Sequence, residues 1–441
     1  MTITKSIKQD EKYIWHPFTQ HKISPLPIKI VSGKMTKLKD EKGNSYIDLI
    51  SSWWVNVHGH CHPYIARAIF KQSKKIEQVI FGGFTHEPAI ELAKKIIKIL
   101  PKNLKKVFFS DNGSTAVEVA LKIAYQYWFN KNKKKKTFIA FKNAYHGDTV
   151  GAMSLSSGSD LFSTFKDLFF KIKLFDYPST WEGDNKIEKK EELVLEKIDK
   201  ELKNNHDIAG IIIEPLIQGS GGMNVCREIF IKKLAKVINK RKNLLIFDEV
   251  MTGFGRTGDF FACKKTNTKP DIICLSKGLT GGFLPLSLTI TTDKIYKNFL
   301  GTNFDKALAH GHSFTANPLG CAASIASLNL FKSKKVFEKI KNIERQHYIF
   351  SKKLRKLEIV EKIRICGTII AFNIKGFGSG YRAIIPMKIK KFFLDKGLLL
   401  RPLGNVIYIM PPYCILKKEL KYSYKIIYQG LKKLDETRSH N

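Results

Sequence analysis

The sequence predicts an α/β protein: a large unit on a mostly parallel, mixed sheet with helices on both faces, followed by a smaller α/β unit. Three observations predict it. Short apolar runs bounded by breakers, too short to be helices, alternate with longer stretches of helical periodicity from about residue 86 onward. Two of these runs, NLLIFDEV at 243–250 and PDIICLSKGLTGG at 270–282, each close on one charged residue, Asp248 and Lys277. Buried parallel strands would deliver both to the carboxyl edge of a sheet, where ligands of open α/β folds sit. The last hundred or so residues carry their own strand and helix patterns, and no internal repeat is found.

In chain order, the first sixty or so residues show little periodicity but several aromatics and breakers: WHPFTQ at 15–20, then strand-like IKIVSG and SYIDLISSWWVNVHGHCHP. Such a segment is expected to drape over a larger body. His58, His60, Cys61 and His62 are metal-ligand types, but no second ligand pair at zinc spacing follows, so a polar turn is expected. HEPAIELAKKIIKIL at 86–100 predicts a helix with Pro88 in its first turn and an apolar side. KKVFFSDNGSTAVEVALKIAYQYW predicts a strand, a polar turn and a long helix. A helix starting near Gly113 and Ser114 points free backbone N–H groups outward, which suits a phosphate if a pocket lies there; otherwise Ser114 is a cap. Strand TFIAF leads to the polar, aromatic loop NAYHGDT; a charged amphipathic helix at 186–204 precedes AGIIIEPLIQGSGG, which closes on Glu214. The helix REIFIKKLAKVINKR then feeds the first of the two runs, and LPLSLTITT follows the second as one more strand. HGHSFTANPLGCAASIASLNLF reads as a loop and helix, and the C-terminal unit as strands near 368–374, 398–401 and 406–410 around a helix at 387–396. The division is therefore 1–65, an N-terminal segment contributing to the small domain and the active site; 66–330, a large cofactor-binding domain; and 331–441, a small α/β domain.

Composition narrows the class. At 441 residues and 43% apolar content the chain can bury a substantial core. No run of eighteen apolar residues occurs and the opening MTITKSIKQDEKY has no signal-peptide core, so a cytoplasmic protein without a membrane partner is expected. The seven cysteines are odd in number, scattered and without a C-x-x-C pair, as for reduced thiols. The formal charge of +37 is spread over nearly every expected helix and loop, and its densest cluster, NKNKKKK, falls in a solvated connection. No nucleic-acid partner is expected from it.

An amine and a carboxylate facing one pocket are what pyridoxal phosphate requires. A lysine forms a Schiff base with the cofactor aldehyde, and a carboxylate against the pyridine nitrogen keeps it protonated so that the ring can accept electrons. Lys277 would be the covalent anchor and Asp248 the ring partner.

The series SDNGSTAVEVALK, AYHGDT, EPLIQGSGGM, FDEVMTGFGRTG, LSKGLTGG and HGHSFTANPLGCA, in this order over nearly the whole chain, resembles the class III pyridoxal phosphate aminotransferases. The fold this implies is the PLP-dependent transferase fold type I. With WHPFTQ, SSWWVNVHGHCHP and RPLGNVIYIMPPY the resemblance narrows to the branch that aminates 8-amino-7-oxononanoate in biotin synthesis, with S-adenosylmethionine as donor. The alternative is lysine as donor, or another class III omega-aminotransferase.

The resemblance also implies roles. Lys277 and Asp248 match the anchor and the ring partner, and Gly113 and Ser114 the phosphate turn. Tyr145 matches the aromatic on one ring face, with Val250 on the other. His312 and Ser313 match phosphate contacts lent by the second subunit of a homodimer, with Gly311 close to substrate. Trp54 matches a pocket wall and Arg401 the grip on the substrate carboxylate, which suits a planar, permanently charged fork. Phe18 stands where some members carry a tyrosine that bonds substrate, His312 where proline is frequent, and Ser220 where ornithine- and aminobutyrate-type members carry a glutamate.

Overall fold

The computed structural model describes residues 5–378 and 387–439. Its centre is a seven-stranded sheet built from β4 (Leu104–Ser110), β5 (Thr137–Phe141), β6 (Ile172–Phe175), β7 (Ile208–Ile213), β10 (Leu244–Asp248), β11 (Ile272–Leu275) and β12 (Ser287–Thr292), in the order β4-β12-β11-β10-β7-β5-β6. Only β12 runs antiparallel to its neighbours; the other pairings are parallel. The expectation of a mostly parallel mixed sheet is met.

The two-residue period of a strand explains why the central strands carry no polar face. Along β10, Leu245 and Phe247 join one core with Val194, Ile198, Leu234 and Ile238 of the helices Ile187–Asn204 and Glu228–Lys240. Leu244 and Ile246 join another with Ala116, Val117 and Ala120 of the helix Gly113–Phe129. Both faces are covered, so every residue of β10 is buried, and the first charged side chain it can tolerate is Asp248 at its end.

Three smaller sheets surround this body. β1 (Ile30–Lys34), β2 (Lys37–Asp40) and β3 (Ser45–Asp48) form an antiparallel meander, and β15 (Leu398–Leu399) adds parallel to β3 with Leu398 opposite Ile47. β13 (Val360–Cys366), β14 (Ile369–Ile374) and β16 (Val406–Ile409) make an antiparallel sheet, while β8 (Ile217–Gln218) and β9 (Asn224–Val225) pair as a hairpin. Ile47 and Leu49 pack in the same core as Ile370, Phe372, Leu398 and Ile407. The expected C-terminal helix is present as Met387–Asp395. Strand β15 is shorter than the expected 398–401, and β13 was not anticipated, since its charged residues mask the apolar alternation and a bulge between Glu361 and Arg364 breaks the period. Among the described residues no helix is long and apolar enough to cross a membrane.

The small antiparallel sheet meets the large body backbone to backbone at the β13–β14 turn. Gly367 has φ +55°, and a Cβ there would strike Gly258 N, Thr257 C and Arg256 O, none of which can swing aside. Thr368 N–H donates to the Arg256 carbonyl at 2.9 Å across the same contact. Gly367→Ala is expected to destabilise the chain by about 2–4 kcal/mol, the combined cost of positive φ and overpacking. Urea unfolding checks this, and a variant within ~0.5 kcal/mol of the parent would contradict it.

Candidate active site

A cavity of about 670 Å³ opens at the carboxyl edge of the large sheet, and Trp54, Gly113, Ser114, Tyr145, Asp248, Val250 and Lys277 all line it. The carboxylate at 248 and the amine at 277, brought by β10 and by the turn after β11, therefore share one space.

Asp248 is 4% exposed. Its Oδ2 lies 2.7 Å from Nδ1 of the buried His146, and its Oδ1 accepts the Val250 N–H at 3.1 Å. The carboxylate here is bonded by partners from two directions and still faces the cavity. Lys277 is half-buried at the start of the turn, with φ +48°, and its Nζ sits 4.7 Å from the Trp54 ring centroid. Burial pushes the lysine pKa down, against the upward pull of Asp248, Glu214 and Asp148. The result is an amine more easily neutral than a surface lysine.

At the other end lies the start of the helix Gly113–Phe129. Asn112 caps it by accepting the Thr115 N–H at 3.1 Å, which leaves the N–H groups of Gly113 and Ser114 without an intrahelical acceptor. A Cβ on Gly113 would come within 2.6 Å of Val250 Cγ1, so only glycine lets the helix start and the Val250 side wall close together. The Ser114 hydroxyl accepts the Asp148 N–H at 3.1 Å and keeps its own proton to donate. Tyr145 is fixed from three sides. Its N–H donates to Glu214 Oε2 at 3.0 Å, its hydroxyl to Asp148 Oδ2 at 2.9 Å, and its ring stacks on Phe162 at 6.0 Å and 21°. An anion site, two flat side walls, a buried carboxylate and an amine thus surround one space, which is the donor set pyridoxal phosphate needs.

Trp54 reaches the cavity by an unusual backbone. Ser51, Ser52, Trp53 and Trp54 have φ of +50°, +45°, +65° and +77°, a left-handed turn without glycine. Each such residue costs about 1–2 kcal/mol, so the surroundings must impose it. Asp48 accepts from Ile50 N–H, Ser52 Oγ and His60 Nε2 at 3.1, 2.9 and 2.9 Å. Ser51 Oγ donates to the Met410 carbonyl at 2.7 Å. The buried Arg256 donates to the carbonyls of Trp54, Asn56 and Pro411 at 3.2, 3.3 and 3.0 Å. His60 supports the turn through Asp48, and among the described residues no group of three or more His, Cys, Asp or Glu could hold a metal.

The turn sends its two indoles apart. Trp54 faces Lys277, with Nε1 donating to Tyr408 Oη at 3.0 Å, while Trp53 lies under the Arg401 guanidinium at 4.1 Å and edge-on to Phe18 at 5.6 Å. Arg401 lines an adjacent cavity of about 530 Å³ with Asp10, Glu11 and His16, and neither Arg401 nor Phe18 lines the Lys277 cavity. Gly311, His312 and Ser313 also lie outside it; His312 Nδ1 accepts the Phe314 N–H at 3.2 Å and its Nε2 is buried without a hydrogen-bond partner among the described residues. Ser220 sits in the turn of the β8–β9 hairpin.

Sequence reasoning missed His146, Glu214 and Arg256. Their signals were present in Y-H-G-D, in the E-P that ends an apolar run, and in G-F-G-R-T-G, but each acts on partners far along the chain.

Fold and site together define a pyridoxal-phosphate-dependent transaminase. Residues 18–431 match the family described as aminotransferase class-III, and the chain belongs to that family. It is 48% identical over 415 residues, 94% of this chain and 97% of the relative, to the adenosylmethionine-8-amino-7-oxononanoate aminotransferase of Synechococcus elongatus. To the enzyme of the same name from Methanocaldococcus jannaschii it is 40% identical over 473 residues, 99% and 100% of the two chains. A crystal structure of that name from M. jannaschii superposes with a TM-score of 0.85 at 38% identity, covering 97% of this chain and 98% of the other. An amine transaminase from an uncultivated Pseudomonas species, in its PLP-bound form, superposes at 0.88 with 25% identity, covering 96% and 98%.

Glu214 gives the site a pH signature. Burial raises its pKa from 4.5 to about 7, with His146 pulling down and Asp248 pushing up. The folded chain holds this proton more tightly than the unfolded chain does. Its stabilising contribution is complete below the unfolded value and is lost as pH rises through 7, and Glu249, also raised to about 7 by burial, acts in the same window. The cofactor-free chain should lose on the order of 3 kcal/mol per group between about pH 5 and about pH 8. Glu214→Gln should flatten that slope, and an unchanged slope in thermal melts would count against the assignment.

Proposed function

We propose that this chain aminates the ketone of 8-amino-7-oxononanoate to give 7,8-diaminononanoate in biotin synthesis, with S-adenosylmethionine as amino donor. The observation that carries the reading is the convergence of Lys277 and Asp248 on one cavity, with a carboxylate-binding fork, Arg401, on the far side of the Trp53–Trp54 turn. The shared name of the relatives supports the substrate. Lysine is the alternative donor, and Phe18, which has no hydroxyl to offer substrate, keeps it open. Asp10 and Glu11 put carboxylates beside Arg401, and both donors are cationic.

Pyridoxal phosphate, when bound, supplies an electron sink for the carbanion left when an amine loses its α proton. The residues here would hold it as follows. Lys277 Nζ would anchor it, Asp248 would partner its pyridine nitrogen, Gly113 and Ser114 would take its phosphate, and Tyr145 and Val250 would flank its ring. When free, Lys277 Nζ would be the base that removes the donor's α proton and returns a proton to the acceptor carbon. Its lowered pKa makes the neutral form accessible for this. Arg401 grips the terminal carboxylate of the acceptor, and Trp54 walls the cavity between.

The site is shared between two copies in this reading. Gly311, His312 and Ser313 lie outside their own chain's cavity but in a loop with exposed Phe304 and Phe314. The Gln78 side chain ties that loop to a segment with exposed Ile80 and Phe84. A second copy covering this apolar surface would receive His312 and Ser313 at its phosphate. The division into 1–65, 66–330 and 331–441 is proposed alongside, with the first segment and the last forming one body.

Two measurements test the function. Borohydride reduction after incubation with pyridoxal phosphate should add one cofactor mass to the Lys277 peptide; Lys277→Ala should lose both that adduct and more than about a thousandfold in turnover. With 8-amino-7-oxononanoate as acceptor, adenosylmethionine or lysine should serve as donor; if neither does while ornithine or aminobutyrate reacts, the substrate assignment is wrong.

A further inference from the structure

The β8–β9 hairpin of the large body carries a turn, residues 219–223, that touches both walls of the Lys277 cavity. Gly219 lies against the indole of Trp54, where a Cβ would come within 3.0 Å of Cζ3, and its N–H donates to Glu214 Oε1 at 2.9 Å. Gly221 rests on the Asn143 carbonyl at the root of the Tyr145 loop, and Gln218 Nε2 donates to the Lys142 carbonyl at 3.0 Å. A shift of this turn would therefore move Trp54 and Tyr145 together.

One side chain from the C-terminal sheet holds the turn from its outer side. Arg364 donates through Nη2 to the Gly222 carbonyl and through Nε to the Met223 carbonyl at 2.8 Å. Its Nη1 donates to the Lys362 carbonyl at 2.6 Å and to Asn373 Oδ1 at 2.7 Å. The bulge between Glu361 and Arg364, with Lys362 at φ +50°, breaks the strand's alternation and aims this side chain at the hairpin. Arg364 is 5% exposed, and all four bonds go to neutral oxygens. Among the described residues no carboxylate bonds this guanidinium, and the desolvation cost of its burial is opposed by the longer-range pull of Glu361 and by these four hydrogen bonds. What the planar fork provides is geometry: two neighbouring carbonyls of a glycine-rich turn are fixed by one rigid group. The mechanism above makes no use of it.

We propose that Arg364 is a positioning residue for amino-group transfer. By fixing the carbonyls of Gly222 and Met223 it holds the turn, and through Gly219 the Trp54 wall, at the depth that seats the acceptor ketone. The proposal rests on the acceptor reading given above, and its test separates the two.

Hydrogen exchange on the cofactor-free chain is read in peptides covering 216–225, and steady-state kinetics are read on the holoenzyme with 8-amino-7-oxononanoate. In Arg364→Met, exchange at the turn should rise at least about tenfold, because two buried carbonyls lose their donor and the Gly219–Glu214 bond opens more often. The acceptor KM should rise about tenfold with kcat within about twofold, the pattern of lost substrate seating. Arg364→Lys, whose ammonium can reach one carbonyl but not fork, should fall between. Unchanged exchange at 216–225 overturns the proposal. So does a loss confined to kcat and melting temperature at constant KM, which marks a merely structural arginine. Should Arg364→Met fail to fold, Asn373→Ala, which leaves the guanidinium but removes its strand-side acceptor, must show the same pattern at smaller size. If the parent enzyme does not aminate this ketone at all, the substrate reading falls, and exchange alone still decides whether Arg364 holds the turn.

Discussion

A carboxylate at the end of a fully buried strand must be given hydrogen-bond partners in place of water, and the geometry around Asp248 follows from that demand. β10 runs between β7 and β11 with no solvent on either face, so Asp248 emerges into a space already enclosed by protein. His146 and the Val250 N–H take up part of its hydrogen-bonding capacity, and the remainder faces the cavity where a protonated ring nitrogen would complete the set. His146 sits in the same loop as Tyr145, so meeting the electrostatic demand of Asp248 also fixes the aromatic wall. Glu214, which takes the Tyr145 and Gly219 N–H groups, repeats this economy one layer further out.

The second organising feature is the left-handed turn at 51–54. Tandem indoles on an ordinary strand or helix would also diverge, but here one lies against Lys277 and the other against Arg401. The turn is held by charge and hydrogen bonding, through Asp48 and Arg256, and not by residue preference. It stands between the cavity lined by Lys277 and the cavity lined by Arg401.

Much of this was legible in the sequence because apolar runs that are both short and uninterrupted have few alternatives to buried strands. β5, β7, β10, β11 and β12 fall where those runs predict, and the helix start at Gly113 follows from its Asn cap. Asp248 and Lys277 could be paired because each is the first charge met at the end of such a run. β13 escaped because Glu361, Lys362 and Arg364 interrupt its apolar face and the bulge removes the period. The turn at 51–54 escaped for a stronger reason: Ser and Trp carry no local preference for positive φ, and what enforces it lies at residues 256 and 410. His146, Glu214 and Arg256 were visible as letters, but their work is done across distances that no local pattern encodes.

The pairing of β3 with β15 has a consequence for how the polypeptide is made. β3 pairs with β2 on one edge, but on its other edge Ile47 and Asp48 find their partners at Leu398 and Leu399, and Leu49 and Val57 bond to the backbone of Met410 and Tyr413. At about 5–20 residues per second, translation delivers the later residues roughly tens of seconds after the earlier ones. Through that interval the amino-terminal meander has one edge of β3 unpaired. The core that joins Ile47 and Leu49 to Leu398 and Ile407 can close only after the later segment has left the ribosome, and the open edge of β3 is in the meantime a natural client for a holding chaperone.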